Sequence, residues 1–117
     1  MSETGEQIEQ ISIEMDQAKK MVEAKKSMQN LLKNPDFKKM IEQGYFVDEA
    51  SRLVLMKTDP VIMANALQST MIENNIIAVG CFRQYIQTIM QLGSQAERSL
   101  VDYEKASAEL HEEDLSN

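Results

Sequence analysis

The chain contains few of the residues that disulfide-stapled folds, metal centres and nucleotide sites require. Its 117 residues include one cysteine, one histidine, two prolines, four glycines and no tryptophan. The lone Cys81 excludes an intrachain disulfide and a multi-cysteine metal site, which is typical of a reducing compartment. The lone His111 cannot supply the two Glu-x-x-His pairs of a di-iron bundle. It also lies in a polar, acidic segment that does not suit a general base.

Long hydrophobic runs and glycine-rich loops are missing as well. The four glycines are too dispersed along the chain for a loop that cradles phosphate. The first ten residues are polar and acidic, and every apolar run is short, so we expect neither a secretory signal nor a membrane span. These absences predict a non-enzymatic protein with no cofactor, no metal and no membrane attachment.

Charge is plentiful but unevenly distributed. The formal net charge of −7 opposes binding to a polyanion, so nucleic acid is not an expected partner. Residues 1–18 and 94–117 are rich in acids, whereas residues 19–39 are rich in lysine. We expect residues 19–39 to lie near residues 97–114 in an antiparallel arrangement, within one chain or between two, with modest salt-sensitive attraction.

Helix signals divide the chain into four segments. Asn34-Pro35 and Asp59-Pro60 each combine an N-cap residue with a proline at the first helical position, and Gly44 is placed as a left-handed C-cap. The pattern predicts an all-α, elongated helical bundle or hairpin with coiled-coil-like arms. The two long helices are expected at about 6–33 and 60–112, and the two short helices at about 35–43 and 47–58.

We interpret the chain as one helical domain, because 117 residues of which 43% are hydrophobic are enough for one core. Residues 34–92 are expected to form the compact part. Residues 6–22 and 94–112 are expected to be arm-like helices, and residues 1–5 and 113–117 to be disordered. After Val22 the apolar stripe of the first helix shifts to Met21, Ala24, Met28, Leu31 and Leu32, which predicts a change of register.

An apolar seam with period 3.5 is the strongest pattern in the sequence. Such a seam requires a partner helix along its length, so we predict that it docks on a second chain or another protein. Gly93 lies on it, either as a bend or as a point of close helix approach. Between Met71 and Leu92 apolar residues occupy nearly every face, which predicts that this middle part is buried. The seam comprises Ile72, Val79, Phe82, Ile86, Ile89, Ala96, Leu100, Tyr103 and Leu110 of the last helix, with Ile8, Ile11 and Met15 of the first.

Several strings resemble small helical proteins of tailed bacteriophages that are encoded among structural genes and have no assigned role. The strings are Asn34-Pro35-Asp36-Phe37-Lys38-Lys39, Gly44-Tyr45-Phe46, Glu49-Ala50-Ser51-Arg52-Leu53-Val54, Phe82-Arg83-Gln84-Tyr85 and Ala96-Glu97. The resemblance covers roughly residues 20–100. It implies a phage setting, in the host cytoplasm or the virion, and an interaction role without a defined site.

We therefore expect a non-enzymatic, self-associating helical protein that acts in virion assembly or is a minor virion component. Its partners would be further copies of itself or another phage structural protein. An alternative is a small acidic effector that binds and inhibits a host protein through the acids of residues 94–117. A third hypothesis is a DNA-packaging accessory that touches DNA through Lys19 to Lys39.

Overall fold

The C-terminal part of the chain forms one long helix of 51 residues, Ala66–Ser116. A computed structural model describes residues 3–116, and these residues contain no strand. The helices are α1 (Glu3–Lys33), α2 (Pro35–Phe37), a π-helix (Lys38–Glu49), α3 (Ala50–Lys57), α4 (Pro60–Met63) and α5 (Ala66–Ser116). The prediction of an all-α fold with two long helices is confirmed.

Both predicted N-caps are present. The Asn34 side-chain oxygen accepts hydrogen bonds from the backbone N–H of Asp36 at 2.9 Å and of Phe37 at 3.1 Å. The Asp59 carboxylate accepts from the Val61 N–H at 2.9 Å. Each cap satisfies N–H groups that have no partner inside the helix, and the following proline lacks the N–H that would otherwise need one.

The two predicted short helices are joined, because helical structure continues from Pro35 to Lys57. No glycine in residues 3–116 has a positive φ, so the prediction of a left-handed C-cap at Gly44 is wrong. Gly44 lies inside the π-helix, where an added Cβ would be 3.1 Å from the Lys39 carbonyl oxygen. The Gln43 amide donates to the Asp48 carboxylate at 2.9 Å across five residues, a separation that matches the wider π turn.

The last long helix begins later than predicted. Pro60 opens only the single-turn α4, and α5 starts at Ala66, where the Asn65 side chain accepts a hydrogen bond from the Gln68 N–H at 3.1 Å. Helix α5 then continues through Gly80 and Gly93 as one element. Residues 3–5 and 113–116 are helical rather than disordered. Met1, Ser2 and Asn117, for which disorder was also expected, lie outside the described residues.

The chain divides into two compact units. Unit 1 comprises residues 1–28 and 89–117, and unit 2 comprises residues 29–88. The core of unit 2 is formed by Leu53 of α3 with Ile72 and Val79 of α5. Partly buried hydrophobic residues pack against this core, namely Tyr45, Phe46, Ala50, Met56, Ile62 and Ile76.

An aromatic cluster joins the π-helix to α5 within unit 2. The Phe82 ring lies 6.1 Å from Tyr45 in an edge-to-face arrangement and 5.5 Å from Phe46 in a tilted one. Tyr45 and Phe46 are adjacent in sequence, yet both reach the same residue of α5. The wide π turn keeps residues spaced by four or five, such as Ile41, Phe46 and Ala50, on the covered side.

In unit 1, α1 packs antiparallel against α5. Ala18 and Ala96 are buried, and the Lys25 ammonium donates to the Glu97 carboxylate at 3.0 Å. This ion pair is the predicted meeting of the lysine-rich segment with the acidic one, and it forms within one chain. Gly93 lies directly beneath Lys25, because a Cβ at Gly93 would be 2.3 Å from the Lys25 Cβ.

The predicted change of register after Val22 is wrong, because the covered side of α1 keeps its 3-4 spacing to Lys25 and shifts by one residue only at Met28. The covered residues are Ile8, Ile11, Met15, Ala18, Val22, Lys25, Met28 and Leu32. Met21 and Leu31, which belong to the predicted shifted stripe, are exposed. Lys25 belongs to the covered side although it is charged, since its side chain is only 13% exposed. Its methylene stem covers Gly93 while its ammonium reaches Glu97.

We predict opposite effects for alanine at the two glycines of α5. Gly93→Ala should lower the free energy of unfolding by about 1–2 kcal/mol, because the overlap with the Lys25 Cβ separates the two helices and outweighs the gain in helix propensity. Gly80→Ala should raise the free energy of unfolding by about 0.5–1 kcal/mol, because no described atom lies within 4 Å of the added Cβ.

Urea denaturation followed by circular dichroism measures both changes. Because Gly93→Ala and Gly80→Ala each add one methyl group to α5, comparing them separates the effect of packing from that of helix propensity. Equal stabilisation by the two alanines would contradict the close approach at Gly93.

Candidate interaction surface

The predicted seam of α5 is covered by the chain itself. Ile72, Val79, Ile86 and Ala96 are buried, the first three by residues of unit 2 and Ala96 within unit 1. Phe82 remains 39% exposed. The partly covered members are Ile89, Leu100, Tyr103 and Leu110 of α5 and Ile8, Ile11 and Met15 of α1. Within the described residues, the chain itself therefore buries the seam at four positions and partly covers it at seven, so these four positions need no second chain.

A second apolar pattern runs along another side of α5 within unit 2. We name it the outer stripe, and it consists of Leu67, Met71, Asn74, Ala78, Cys81 and Tyr85. Its spacing alternates between four and three residues, so it has the period of a coiled-coil seam. At about 100° per residue, Ile72 and Val79 lie roughly 120–140° around the helix from Leu67. The outer stripe and the buried seam therefore face different directions.

The outer stripe is exposed along its whole length. Leu67 is 71% exposed, Met71 57% and Tyr85 60%, and Ile77 beside the stripe is 61% exposed. Asn74, Ala78 and Cys81 are exposed as well. The expectation that the middle of this helix is buried on every face is therefore wrong, because only the seam side is covered in the described residues.

Charge is absent from the stripe and balanced in its unit. Between Asp59 and Glu97 the only charged residues are Glu73 and Arg83. Unit 2 has six acidic and six basic residues, so the entire net charge of −7 belongs to unit 1. The acids of unit 2 are Asp36, Glu42, Asp48, Glu49, Asp59 and Glu73, and its bases are Lys33, Lys38, Lys39, Arg52, Lys57 and Arg83. The cores of protein interfaces are similarly poor in charged residues.

Two acids of unit 2 form ion pairs with neighbouring bases: Glu73 pairs with Lys57 at 2.8 Å, and Glu49 pairs with Arg52. Arg83 lines a cleft of about 350 Å³ between the π-helix and α5, together with Leu32, Glu42, Phe46, Val47, Ile86 and Gln87. The cleft combines an apolar floor with groups of both charges.

A second apolar hollow lies on the outer face of α3. It is lined by Phe46, Val47, Ala50, Ser51, Val54 and Leu55, of which Leu55 is 70% exposed. Together with the outer stripe, it places many of the exposed large hydrophobic side chains in unit 2.

The other residues considered for chemistry lie apart. His111 is exposed on α5, and Cys81 is exposed on the outer stripe. Within residues 3–116 there is no group of three or more His, Cys, Asp or Glu side chains placed to hold a metal ion. None of the described helices has the length and apolar character needed to cross a membrane.

Comparison with known proteins gives no relative. No family model, no curated protein and no solved structure matches the chain.

The outer stripe is visible in the sequence as a pattern, but this pattern overlaps that of the seam on the same helix. Leu67, Met71, Ala78 and Tyr85 have the same rhythm as the seam, and both patterns share one helix. Their overlap makes residues 71–92 apolar on most sides, which is typical of a buried helix. The low charge between Asp59 and Glu97 does not distinguish the two, because cores and interfaces are both poor in charged residues.

The Glu49–Arg52 pair predicts a pH-dependent contribution to stability. Hydrogen bonding to Arg52 holds the pKa of Glu49 below its ordinary value of 4.5. A carboxylate whose pKa is lower in the folded than in the unfolded state stabilises the fold at neutral pH, and this contribution is lost as pH falls below about 4.5. Arg52→Gln should therefore lower stability slightly at pH 7 and have no such effect at pH 3.

Thermal denaturation of both proteins across this pH range checks the expectation. Glu49→Gln is the matched variant, and it should show the same convergence at low pH. A stability difference between wild type and Arg52→Gln that stays constant from pH 7 to pH 3 would refute it.

Proposed function

We propose that this protein is a non-enzymatic helical interaction protein of a tailed bacteriophage, acting in virion assembly or as a minor virion component. The observation that carries the proposal is the outer stripe, a coiled-coil pattern that is uncharged and exposed over Leu67–Tyr85. Large exposed apolar patches on folded proteins mark sites of interaction. The buried seam and the capped helices would serve to hold this surface in shape.

The phage setting rests on the sequence resemblance. Its strings Asn34–Lys39 and Gly44–Phe46 include the Asn34 cap, the π-helix and two aromatics of the cluster at Phe82. These residues build unit 2, the unit that carries the outer stripe. The proposed setting is therefore the host cytoplasm or the virion, with phage structural proteins as the partners.

The proposal predicts that charge on the outer stripe removes the protein from particles. Met71→Glu or Tyr85→Glu places a carboxylate where a partner must exclude water, and an unpaired buried charge is costly. We expect mass spectrometry of purified particles to detect the wild-type chain, and the variants to be depleted by about tenfold or more.

Val101→Glu is the matched control. Val101 is 66% exposed on α5 but lies in unit 1, away from the stripe. It should be incorporated like the wild type, and circular dichroism should show equal helix content in all variants. A wild-type chain missing from particles, or stripe variants incorporated normally, would disprove the proposed role.

A host-directed effector is the second candidate, and the exposure of the C-terminal acids favours it. Glu97 is engaged by Lys25, whereas Asp102, Glu104, Glu109, Glu112, Glu113 and Asp114 lie exposed. Such a row of carboxylates suits a basic surface on a host protein.

The effector hypothesis predicts sensitivity to charge rather than to the stripe. Neutralising Asp102, Glu104 and Glu109 to Asn or Gln should weaken host-protein binding and flatten its salt dependence, while Met71→Glu leaves binding unchanged. Point changes are preferable to truncation after Gly93, because truncation removes Ala96 and Glu97 and so disrupts unit 1. Affinity purification from infected cells, with binding measured at two salt concentrations, provides the readout.

A further inference from the structure

The outer stripe has the properties of one half of a symmetric helix pair. Leu67, Met71, Asn74, Ala78, Cys81 and Tyr85 follow a strict 4-3-4-3-4 spacing. A helix with this spacing is buried by another helix of the same period, because only then do side chains interlock along the whole length. The same chain provides such a helix in each further copy.

Charge favours a second copy over a partner of opposite sign. The stripe carries no charged residue, and unit 2 as a whole has six acids and six bases. Two copies can therefore bring their unit 2 stripes together without net repulsion, although each chain has a net charge of −7. A strongly basic or acidic partner would find no opposite charge on this face.

The area is also of the right order. From their exposed fractions, Leu67, Met71 and Tyr85 of the stripe and Ile77 beside it together present roughly 500 Å² of surface, at the upper end of what monomers leave in one apolar patch. A standard interface buries about 800 Å² on each partner. Neighbouring uncharged residues such as Thr70 and Gln84 supply much of the remainder.

From these observations we infer that a second copy of this chain docks on the outer stripe, so that α5 packs against α5 in an isologous dimer. The same face is used on both chains, and the contact closes instead of propagating into a filament. Asn74 is the one polar member of the stripe. A polar residue in a helix seam fixes register and lowers affinity. Replacing Asn74 with an apolar residue should therefore strengthen the dimer. The inference rests on the proposed interaction role and names the partner.

Sedimentation of the full-length protein over a range of concentrations measures the dimer. The wild type should be dimeric at about 100 µM, and Met71→Glu and Tyr85→Glu should each raise the Kd by about tenfold or more. Val101→Glu should leave the Kd unchanged. Asn74→Leu should lower the Kd by about tenfold, an effect that misfolding cannot mimic.

Cys81 gives a second readout, since it is the only thiol and lies on the stripe. Its rate of alkylation by iodoacetamide, with a phosphine reductant present, should fall as the protein concentration passes the Kd. In Tyr85→Glu the same fall in rate should require a protein concentration about tenfold or more higher. A fall in the alkylation rate of the wild type supports the symmetric dimer. It does so for parallel and for antiparallel α5 helices, since both arrangements cover the stripe.

A wild type that remains monomeric at about 100 µM would overturn the inference, as would a dimer insensitive to Met71→Glu and Asn74→Leu. The virion role and the docking of a second copy can be overturned independently. A monomeric chain whose stripe variants are lost from particles would overturn the second copy and retain the virion role. A stripe-dependent dimer missing from particles would retain the second copy and overturn the virion role.

Discussion

Both units depend on burial of one side of α5, which among the described residues 3–116 is the only helix with buried residues in each unit. In unit 2, Ile72 and Val79 pack with Leu53, and shape complementarity of large side chains dominates. In unit 1 the contact is made by small residues, since Ala18, Gly93 and Ala96 are buried and the stem of Lys25 covers Gly93. The packing thus requires glycine at position 93, because a side chain there would occupy the space that the Lys25 stem fills.

The two units differ in how charge and exposed apolar surface are distributed. Unit 1 combines close helix contact with a dense population of charges, and its lysine stem and carboxylates let a two-helix structure remain hydrated on most sides. Unit 2 has balanced charges and places exposed apolar side chains on α5 and α3. Separation of net charge from apolar surface along one chain leaves unit 2 free to meet another protein without electrostatic penalty.

Local signals in the sequence located the two N-caps, but they gave neither the continuous helix over 35–57 nor the start of α5 at Ala66. Asn34 and Asp59 could be identified as caps because capping is a property of a few consecutive residues. Gly44 could not, because a glycine inside a π-helix and a glycine ending an α-helix look alike in sequence. Lys25 does not stand out in the sequence for a different reason: a lysine interrupts an apolar pattern, although its stem is apolar and only its ammonium requires water.

The side of α5 that carries the exposed apolar surface does not follow from the sequence, and the reason is geometrical. A heptad seam indicates that a helix has a partner helix, but it does not indicate whether that partner belongs to the same chain. The short helices and α1 provide enough surface to cover the seam at Ile72, Val79, Ile86 and Ala96, so that pattern is satisfied internally. The same elements cannot also cover Leu67, Met71 and Tyr85, which lie on another side of the helix. A second seam on one helix therefore indicates association more strongly than a first, because the chain has already used its own helices on the other side.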